Sequence, residues 1–185
     1  MSNYRINNHY AKALFMLATD RGESQLVADD MKAIGKVMAE NRELNVVLAN
    51  PTIPSDKKLG IVKNLFTDMV SEATMAFLLF VVRKNRSVHL RGISDAYLEM
   101  YRDANGIVMS DLVTHQPIDD NAREMVTRMV AEYTGKTVEL HDRTDEKMLG
   151  SFKLEFDNKM YDARIRTKIM KLRKEFAKNE DESKL

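Results

Sequence analysis

The apolar positions in residues 1–105 recur with the period of an α-helix. The first predicted helix carries Tyr10, Leu14, Leu17 and Ala18 on one face, and Gly22 is placed to end it as a left-handed cap. Five further helices follow from similar stripes: Val27, Met31, Ile34 and Met38; Leu44, Val47 and Leu48; Leu59, Val62, Leu65 and Phe66; Phe77 to Val82; and Leu90, Ile93, Tyr97, Met100 and Tyr101. Residues 1–105 are therefore predicted to form an N-terminal six-helix bundle.

Residues that favour helix ends separate these stripes. Pro51 and Pro54 forbid a helix between the third and fourth stripes, and Ser55 or Asp56 then follows as a candidate N-cap for the fourth helix. Ser71 is the corresponding candidate for the fifth helix. The pattern therefore predicts short helices joined by tight connections.

The hydrophobic period changes after Gly106, which together with Asn105 predicts the end of the sixth helix. Alternating or short apolar runs predict strands at 107–113, 137–141 and 151–156. Asp119 is the predicted N-cap of a helix that Gly135 ends. A turn at Asp157-Asn158 precedes a last helix with an apolar stripe: Ile165, Ile169, Leu172 and Phe176. The predicted fold is mainly α, with a six-helix bundle at 1–105 followed by a small α+β domain at 106–185.

The fifth helix is apolar on every side along Phe77 to Val82, which predicts either a central position or contacts on two sides. For any single residue of this helix, a place in the bundle core is the favoured interpretation. Six short helices cannot enclose every side of each other, however, so a groove between the first and fifth helices is a second possibility. Its predicted walls are Ala11, Leu14, Phe15 and Ala18 on one side, and Phe77, Phe80, Val81 and Lys84 on the other.

The composition suggests no catalytic chemistry. The chain has no cysteine, and its four histidines are scattered without the spacing of a helical metal site. A phosphate-binding glycine loop and a serine nucleophile motif are also missing. Asp29 and Asp30 are interpreted as solvated surface, and Asp119 with Asp120 as a helix start. The sequence therefore predicts no catalytic, cofactor-binding or metal-binding residue.

The charge of the whole chain is nearly balanced, with 29 Lys and Arg against 28 Asp and Glu. The segment 159–178 differs, because it holds eight basic residues against Asp162 and Glu175, an excess of six positive charges. Such a helix suits an acidic protein partner, a solvated surface or nucleic acid. The most apolar run, Met75 to Val82, is far below the roughly 20 residues that span a bilayer, so no direct membrane insertion is predicted.

Several segments, in order along the chain, resemble the delta subunit of F-type ATP synthase, the counterpart of the mitochondrial oligomycin-sensitivity-conferring protein. They are Tyr10 to Phe15 with Ala18; Asn50 to Pro54 with Lys57-Lys58; Phe77-Leu78 to Arg86, then Leu90, Ile93 and Tyr97; Gly106 and Val113 to Ile118; and Asp145, Leu149-Gly150, Asp162, Ile165, Leu172 and Arg173. The ordered set covers nearly the whole chain.

The resemblance implies a non-catalytic subunit that binds no cofactor. Its bundle would grip the N-terminal helix of an alpha subunit, with Leu14, Phe77 and Phe80 as anchors. Its second domain would join the C-terminal ends of the b subunits, with contacts expected at Arg166, Ile169, Leu172, Arg173 and Phe176. The complex would be the stator of a proton-translocating ATP synthase at the cytoplasmic face of a bacterial inner membrane. The alternative is a nucleic-acid-binding module that uses the basic C-terminal helix.

Overall fold

A computed structural model of the chain describes residues 3–146, 152–156 and 159–161, the last three by their backbone alone. The chain divides into two compact units, Met1–Asn105 and Gly106–Leu185. The first is all-helical and the second is α+β, so the predicted fold class is confirmed. Among the described residues, no helix combines the length and the apolar character needed to cross a membrane.

The first unit contains six α-helices and one short 3-10 turn. Their bounds are α1 Asn3–Asp20, α2 Ser24–Glu40, α3 Arg42–Ala49, α4 Ser55–Phe66, α5 Glu72–Arg83, the 3-10 turn Ser87–His89, and α6 Leu90–Ala104. Helix α6 packs against α1 and α2, and α4 packs against α5. The central position therefore belongs to α6 rather than to the more apolar α5.

Tyr97 of α6 lies at the centre of the first core and is fully buried. Its hydroxyl donates a hydrogen bond to the Ser24 carbonyl oxygen (3.1 Å), which satisfies the buried phenol. Burial raises the pKa of Tyr97 to about 12, with smaller contributions from Tyr101 and the carboxylate of Asp30. The phenol is therefore neutral and joins α6 to the start of α2.

The helix ends follow the predicted signals in two places and depart from them in a third. Gly22 adopts φ 71° after α1, and Ser71 accepts a hydrogen bond from the Thr74 amide (3.3 Å) at the start of α5. The predicted cap of α4 by Ser55 or Asp56 is wrong. The carbonyl of Pro54 begins that helix by accepting from the Lys57 amide (3.1 Å), so Ser55 already lies inside the first turn.

The second unit is a four-stranded sheet with one described helix. Its elements are β1 Ile107–Thr114, α7 Asp120–Thr134, β2 Thr137–Thr144, β3 Phe152–Phe156 and β4 Lys159–Tyr161. The strand order is β2-β1-β3-β4. Strand β1 pairs in parallel with β2, and β3 is antiparallel to both of its neighbours. The α7 crossover explains the parallel pair, since parallel strands need a long connection.

Helix α7 covers one face of this sheet, with Val130 packed against Val108, Leu112 and Leu154 in the buried cluster. Asp119 caps α7 as predicted, because its carboxylate accepts from the Ala122 amide (2.7 Å). The residues of β4 were predicted to belong to the last helix, and that prediction is wrong. They extend the sheet by pairing with β3.

Candidate partner-binding face

Helices α1 and α5 meet at an aromatic contact, although α1 packs mainly against α6 and α5 mainly against α4. The rings of Tyr10 and Phe80 contact each other with centroids 6.3 Å apart. Asn7 Oδ1 lies 3.0 Å from His89 Nδ1, just after α5 ends. The first half of α1 therefore lies near the second half of α5 and near the 3-10 turn that follows it.

Apolar side chains on both helices remain accessible along this contact. Phe80 is 47% exposed and Leu17 is 43% exposed, while Tyr10 and Phe77 are half-buried. The α1–α5 face is defined here by the residues with suitable helical spacing and accessible side chains: Tyr10, Ala13 and Leu17 of α1, and Ala76, Phe77, Phe80 and Lys84 at the α5 side. Small alanines beside larger side chains suit the close approach of another helix.

Lys84 lies at one end of the α1–α5 face. Its ammonium nitrogen is 5.7 Å from the centroid of the Phe80 ring, which is within cation–π range. Because Lys84 follows the last residue of α5, its charge also favours the negative end of that helix. The side chain is exposed but held near an apolar anchor.

Of the eight residues predicted to line the groove, four are core residues. Ala11, Leu14, Ala18 and Val81 are at most 2% exposed, so they have no side-chain surface to offer in the free chain. The physical reason is helical phase, since Ala11, Leu14 and Ala18 form one stripe that points into the bundle. These residues support the face from behind, which corrects their predicted place on its walls.

Phe15 is also displaced from its predicted position. Its ring contacts the ring of Tyr97 on α6, with centroids 5.7 Å apart, so it turns away from α5. Lys84 lies near the Phe80 ring and Phe77 lies one turn earlier in α5, while their role in binding a partner stays a prediction. The predicted walls did not include four residues of the face: Tyr10, Ala13, Leu17 and Ala76. The width of the apolar stripe on α1, broader than one buried face requires, was the available signal.

A buried histidine joins the two helices at the Lys84 end. His89 is 8% exposed and bonds the side chain of Asn7. Burial lowers the pKa of His89, and the positive charge of Arg86 lowers it further. The imidazole is therefore neutral at pH 7, where it acts as a structural link and not as a charged group.

The sequence predicts no metal site, and it predicts a second set of partner contacts in the last helix. Within the described ranges, no group of three His, Asp or Glu side chains could hold a metal ion. The residues expected to contact b subunits lie outside the described residues: Arg166, Ile169, Leu172, Arg173 and Phe176. The same is true of the basic segment beyond Tyr161, so the α1–α5 face is the candidate site with observed geometry.

Comparison with known proteins identifies the family. The family described as "ATP synthase delta (OSCP) subunit" matches residues 6–176. The chain belongs to the ATP synthase delta (OSCP) subunit family. The resemblance seen in the sequence is thereby confirmed.

Individual members of the delta family match the chain over nearly its whole length. "ATP synthase subunit delta" of Cytophaga hutchinsonii is 34% identical, over 95% of this chain and 96% of that protein. The protein of the same name from Chlorobium luteolum is 33% identical, over 94% and 96%. A chain in the cryo-EM structure of the Toxoplasma gondii mitochondrial ATP synthase hexamer aligns with a TM-score of 0.70 at 18% identity, covering 92% of this chain and 97% of that one. That last likeness shows a shared fold.

Proposed function

We propose that this chain is a non-catalytic stator subunit in the peripheral stalk of an F-type proton-translocating ATP synthase. It links the catalytic head to the b subunits and resists the torque of the rotor. Membership of the delta family supports this role, and so do relatives named ATP synthase subunit delta across nearly the full chain. The nucleic-acid alternative has no support from these relatives.

In this proposal the α1–α5 face receives the N-terminal helix of an alpha subunit. The observation that carries it is the exposure of Phe80, 47%, between the Tyr10 ring and the Lys84 ammonium group. A large aromatic side chain at the centre of an accessible apolar strip is typical of an interface anchor. A partner helix with an apolar face would cover Phe80 and Leu17 together.

This mode of binding suits a stator, because resistance to torque needs slow dissociation. Apolar anchors that become buried lower the dissociation rate, whereas exposed ion pairs contribute only about 0–1 kcal/mol each. Removing a half-exposed aromatic side chain from water supplies part of the roughly 1.5–3 kcal/mol that full burial of such a side chain contributes. Several such side chains along two helices would hold the partner firmly.

The second unit would join the C-terminal ends of the b subunits at the cytoplasmic face of a bacterial inner membrane. The proposed contacts are those expected from the family: Arg166, Ile169, Leu172, Arg173 and Phe176. Three of these five residues are apolar and two are arginines, so the set combines an apolar stripe with positive charge. An acidic amphipathic stalk end would complement that composition.

Calorimetric titration of the full chain tests the proposal, with a synthetic peptide of the first ~20 residues of the cognate alpha subunit, a length that gives about five helical turns. We expect saturable one-to-one binding with a negative heat-capacity change. Phe80→Ala should weaken binding about tenfold or more, as for an interface anchor.

The matched control for Phe80→Ala is Leu65→Ala. Leu65 is 42% exposed on α4 and lies outside the α1–α5 face. Both variants should keep the helical circular dichroism of the parent, and the Leu65 variant should keep its peptide affinity. Unchanged affinity in a folded Phe80→Ala chain would remove Phe80 as an anchor, and no binding by the parent chain would contradict the proposed function.

A further inference from the structure

Basic residues accumulate at one end of the α1–α5 face without acidic neighbours in sequence. Residues 73–94 contain no Asp or Glu, and neither do residues 1–19. The basic residues at this end, together called the basic end, are Arg5, Arg83, Lys84, Arg86 and Arg91. In a chain whose total charge is close to zero, this is a local concentration of positive charge.

Contacts across the fold bring these residues to the same end of the first unit. The side chains of Asn7 and His89 form a hydrogen bond, which places the start of α1 beside the segment that follows α5. Ser55 donates to Asn85 Oδ1 (2.7 Å), which places the start of α4 there too. Asp56, which follows Ser55 in the first turn of α4, is therefore an acidic residue near the basic end.

The five cations of the basic end are exposed and uncompensated. Arg123 pairs with Asp142 and Lys153 pairs with Glu155, and both of these ion pairs lie in the second unit. None of the cations at the basic end takes part in an ion pair among the described residues, and Asp56 pairs with none of them. Their charge is available to a binding partner.

The opposite end of the same face has the other sign. Asp20 is the last residue of α1, and Glu72 is the first residue of α5. Both side chains are exposed. Arg21, which follows Asp20, is also exposed, so the α1–α5 face runs from an end with a small negative net charge to the basic end, and Phe80 lies much closer to the basic end.

We propose that the basic end recognises carboxylates on the partner helix, with Lys84 pairing with an Asp or Glu next to the apolar residue that covers Phe80. This inference rests on the proposed function, because it specifies the chemistry of the helix that binds there. Lys84 is suited to the role because its ammonium group is already held near the Phe80 ring. Less side-chain freedom is then lost when an ion pair forms.

The charge sets which helix binds and in which orientation, while the apolar strip supplies most of the affinity. A helix with carboxylates at the Lys84 end meets positive potential, and the reversed helix places them beside Asp20 and Glu72. Charge of this kind mainly raises the association rate and makes it sensitive to salt.

The test measures binding of the same alpha-subunit peptide to the full chain and to Lys84→Glu at low and moderate salt. Reversing a rim charge should weaken binding about tenfold at low ionic strength, and by less as salt is added. Lys36→Glu is the matched control, because Lys36 is an exposed lysine of α2 outside the α1–α5 face. That control should bind like the parent.

Charge-reversal rescue separates a direct ion pair from a general effect on folding. Each Asp or Glu of the peptide is replaced by Lys in turn, and one replacement should bind Lys84→Glu better than it binds the parent. A peptide that binds the parent well but does not distinguish Lys84→Glu overturns this inference and leaves the proposed function standing. A cognate peptide without Asp or Glu would overturn it as well.

Two further outcomes complete the design. Absence of peptide binding to the parent chain would remove the proposed function and this inference together. Duplex DNA that binds more tightly than the peptide, and loses affinity in Lys84→Glu, would assign the basic end to phosphate instead of carboxylate. Competition between the DNA and the peptide, measured by fluorescence anisotropy, distinguishes the two.

Discussion

Asp30 accepts two hydrogen bonds from Ser71, one from the backbone amide (3.0 Å) and one from the hydroxyl group (2.6 Å). Asp30 is 5% exposed, and Ser71 is itself the cap of α5 through the Thr74 amide. A side chain of α2 therefore fixes the start of the helix that carries Phe80. A carboxylate at the positive end of α5 is also favourable electrostatically.

Replacement of Asp30 should destabilise the first unit strongly. Asp30→Ala leaves the partly buried Ser71 amide without its acceptor, while the Ser71 hydroxyl can still donate to Thr74 Oγ1 (3.1 Å), and we expect a loss of about 1–3 kcal/mol. Urea unfolding followed by circular dichroism measures it. Asp29→Ala is the control, because Asp29 is exposed and bonds only Gln25 among the described contacts. A similar loss in both variants would contradict the role given to Asp30.

Gly92 of α6 should reject a side chain, although Ala favours helices. A Cβ atom at Gly92 would lie 2.0 Å from Asn7 Nδ2, so Gly92→Ala displaces Asn7 from His89. We expect a loss of about 1–2 kcal/mol, since a hydrogen bond breaks at a crowded site. Gly60→Ala in α4 meets no atom within 4 Å and should instead gain up to about 1 kcal/mol from helix propensity.

The double variant Asn7→Ala with Gly92→Ala identifies the cause of that loss. Because Asn7→Ala removes the atoms that the new methyl group would meet, the double variant should be no less stable than Asn7→Ala alone. The same urea measurement on all four proteins gives the coupling energy. Additive losses from the two substitutions would show that the close approach of Asn7 is unimportant.

Local signals in the sequence predicted the helices and most of their ends. Gly22, Ser71 and Asp119 act through the neighbouring backbone, so their roles can be inferred from sequence. The side of α1 that faces the core could not be inferred in the same way. Its apolar stripe is broad, and contact with α6 decides that Ala11 is buried while Leu17 is exposed.

Long-range contacts explain the other errors. Asp30 was interpreted as surface because its partner, Ser71, is 41 residues away. Ser55 was interpreted as a helix cap, but its hydroxyl donates a hydrogen bond to the side chain of Asn85, a residue with a positive φ of 57°. In the second unit, β4 was assigned to a helix because three residues are too few to show a period. Each error depends on a partner that the local pattern does not contain.

We expect the first unit to become less stable as the pH is lowered, because His89 is buried as a neutral ring. Burial and Arg86 lower the pKa of His89 in the folded chain below its ordinary value of 6.5, so the unfolded chain binds a proton first as pH falls. The contribution of the neutral ring to the free energy of unfolding is therefore complete above pH 6.5. It is lost as the pH falls toward the pKa that His89 has in the folded chain. Urea midpoints between pH 7.5 and 5 should show this slope.

His89→Gln should flatten the slope between pH 7.5 and 5, since glutamine does not titrate. His9→Gln is the control at an exposed histidine of α1, and it should leave the slope caused by His89 in place. If the His89 variant keeps the full slope, another group carries the pH dependence. The comparison uses slopes, so a constant loss of stability from removing the Asn7 contact does not affect it.

Two buried serines should respond oppositely to removal of their hydroxyl groups. Ser110 of β1 is fully buried, and its Oγ atom has no hydrogen-bond partner. Ser87 is 3% exposed, and its Oγ atom donates to the Leu48 carbonyl oxygen (2.6 Å). Ser110→Ala removes a polar atom without a hydrogen-bond partner, whereas Ser87→Ala removes a hydrogen bond. We therefore expect a loss of stability, about 1 kcal/mol, from Ser87→Ala alone.

The expected result for Ser110→Ala is equal or greater stability of the second unit, by up to about 1 kcal/mol. Its neighbours across the sheet are Leu140 and Phe156, so the site is apolar apart from the hydroxyl group. Amide hydrogen exchange measured residue by residue separates the two units in the full chain. Faster amide exchange throughout β1 in the Ser110→Ala variant would mean that the Ser110 hydroxyl has a stabilising partner. The predicted difference between the effects of Ser110→Ala and Ser87→Ala on stability would then be wrong.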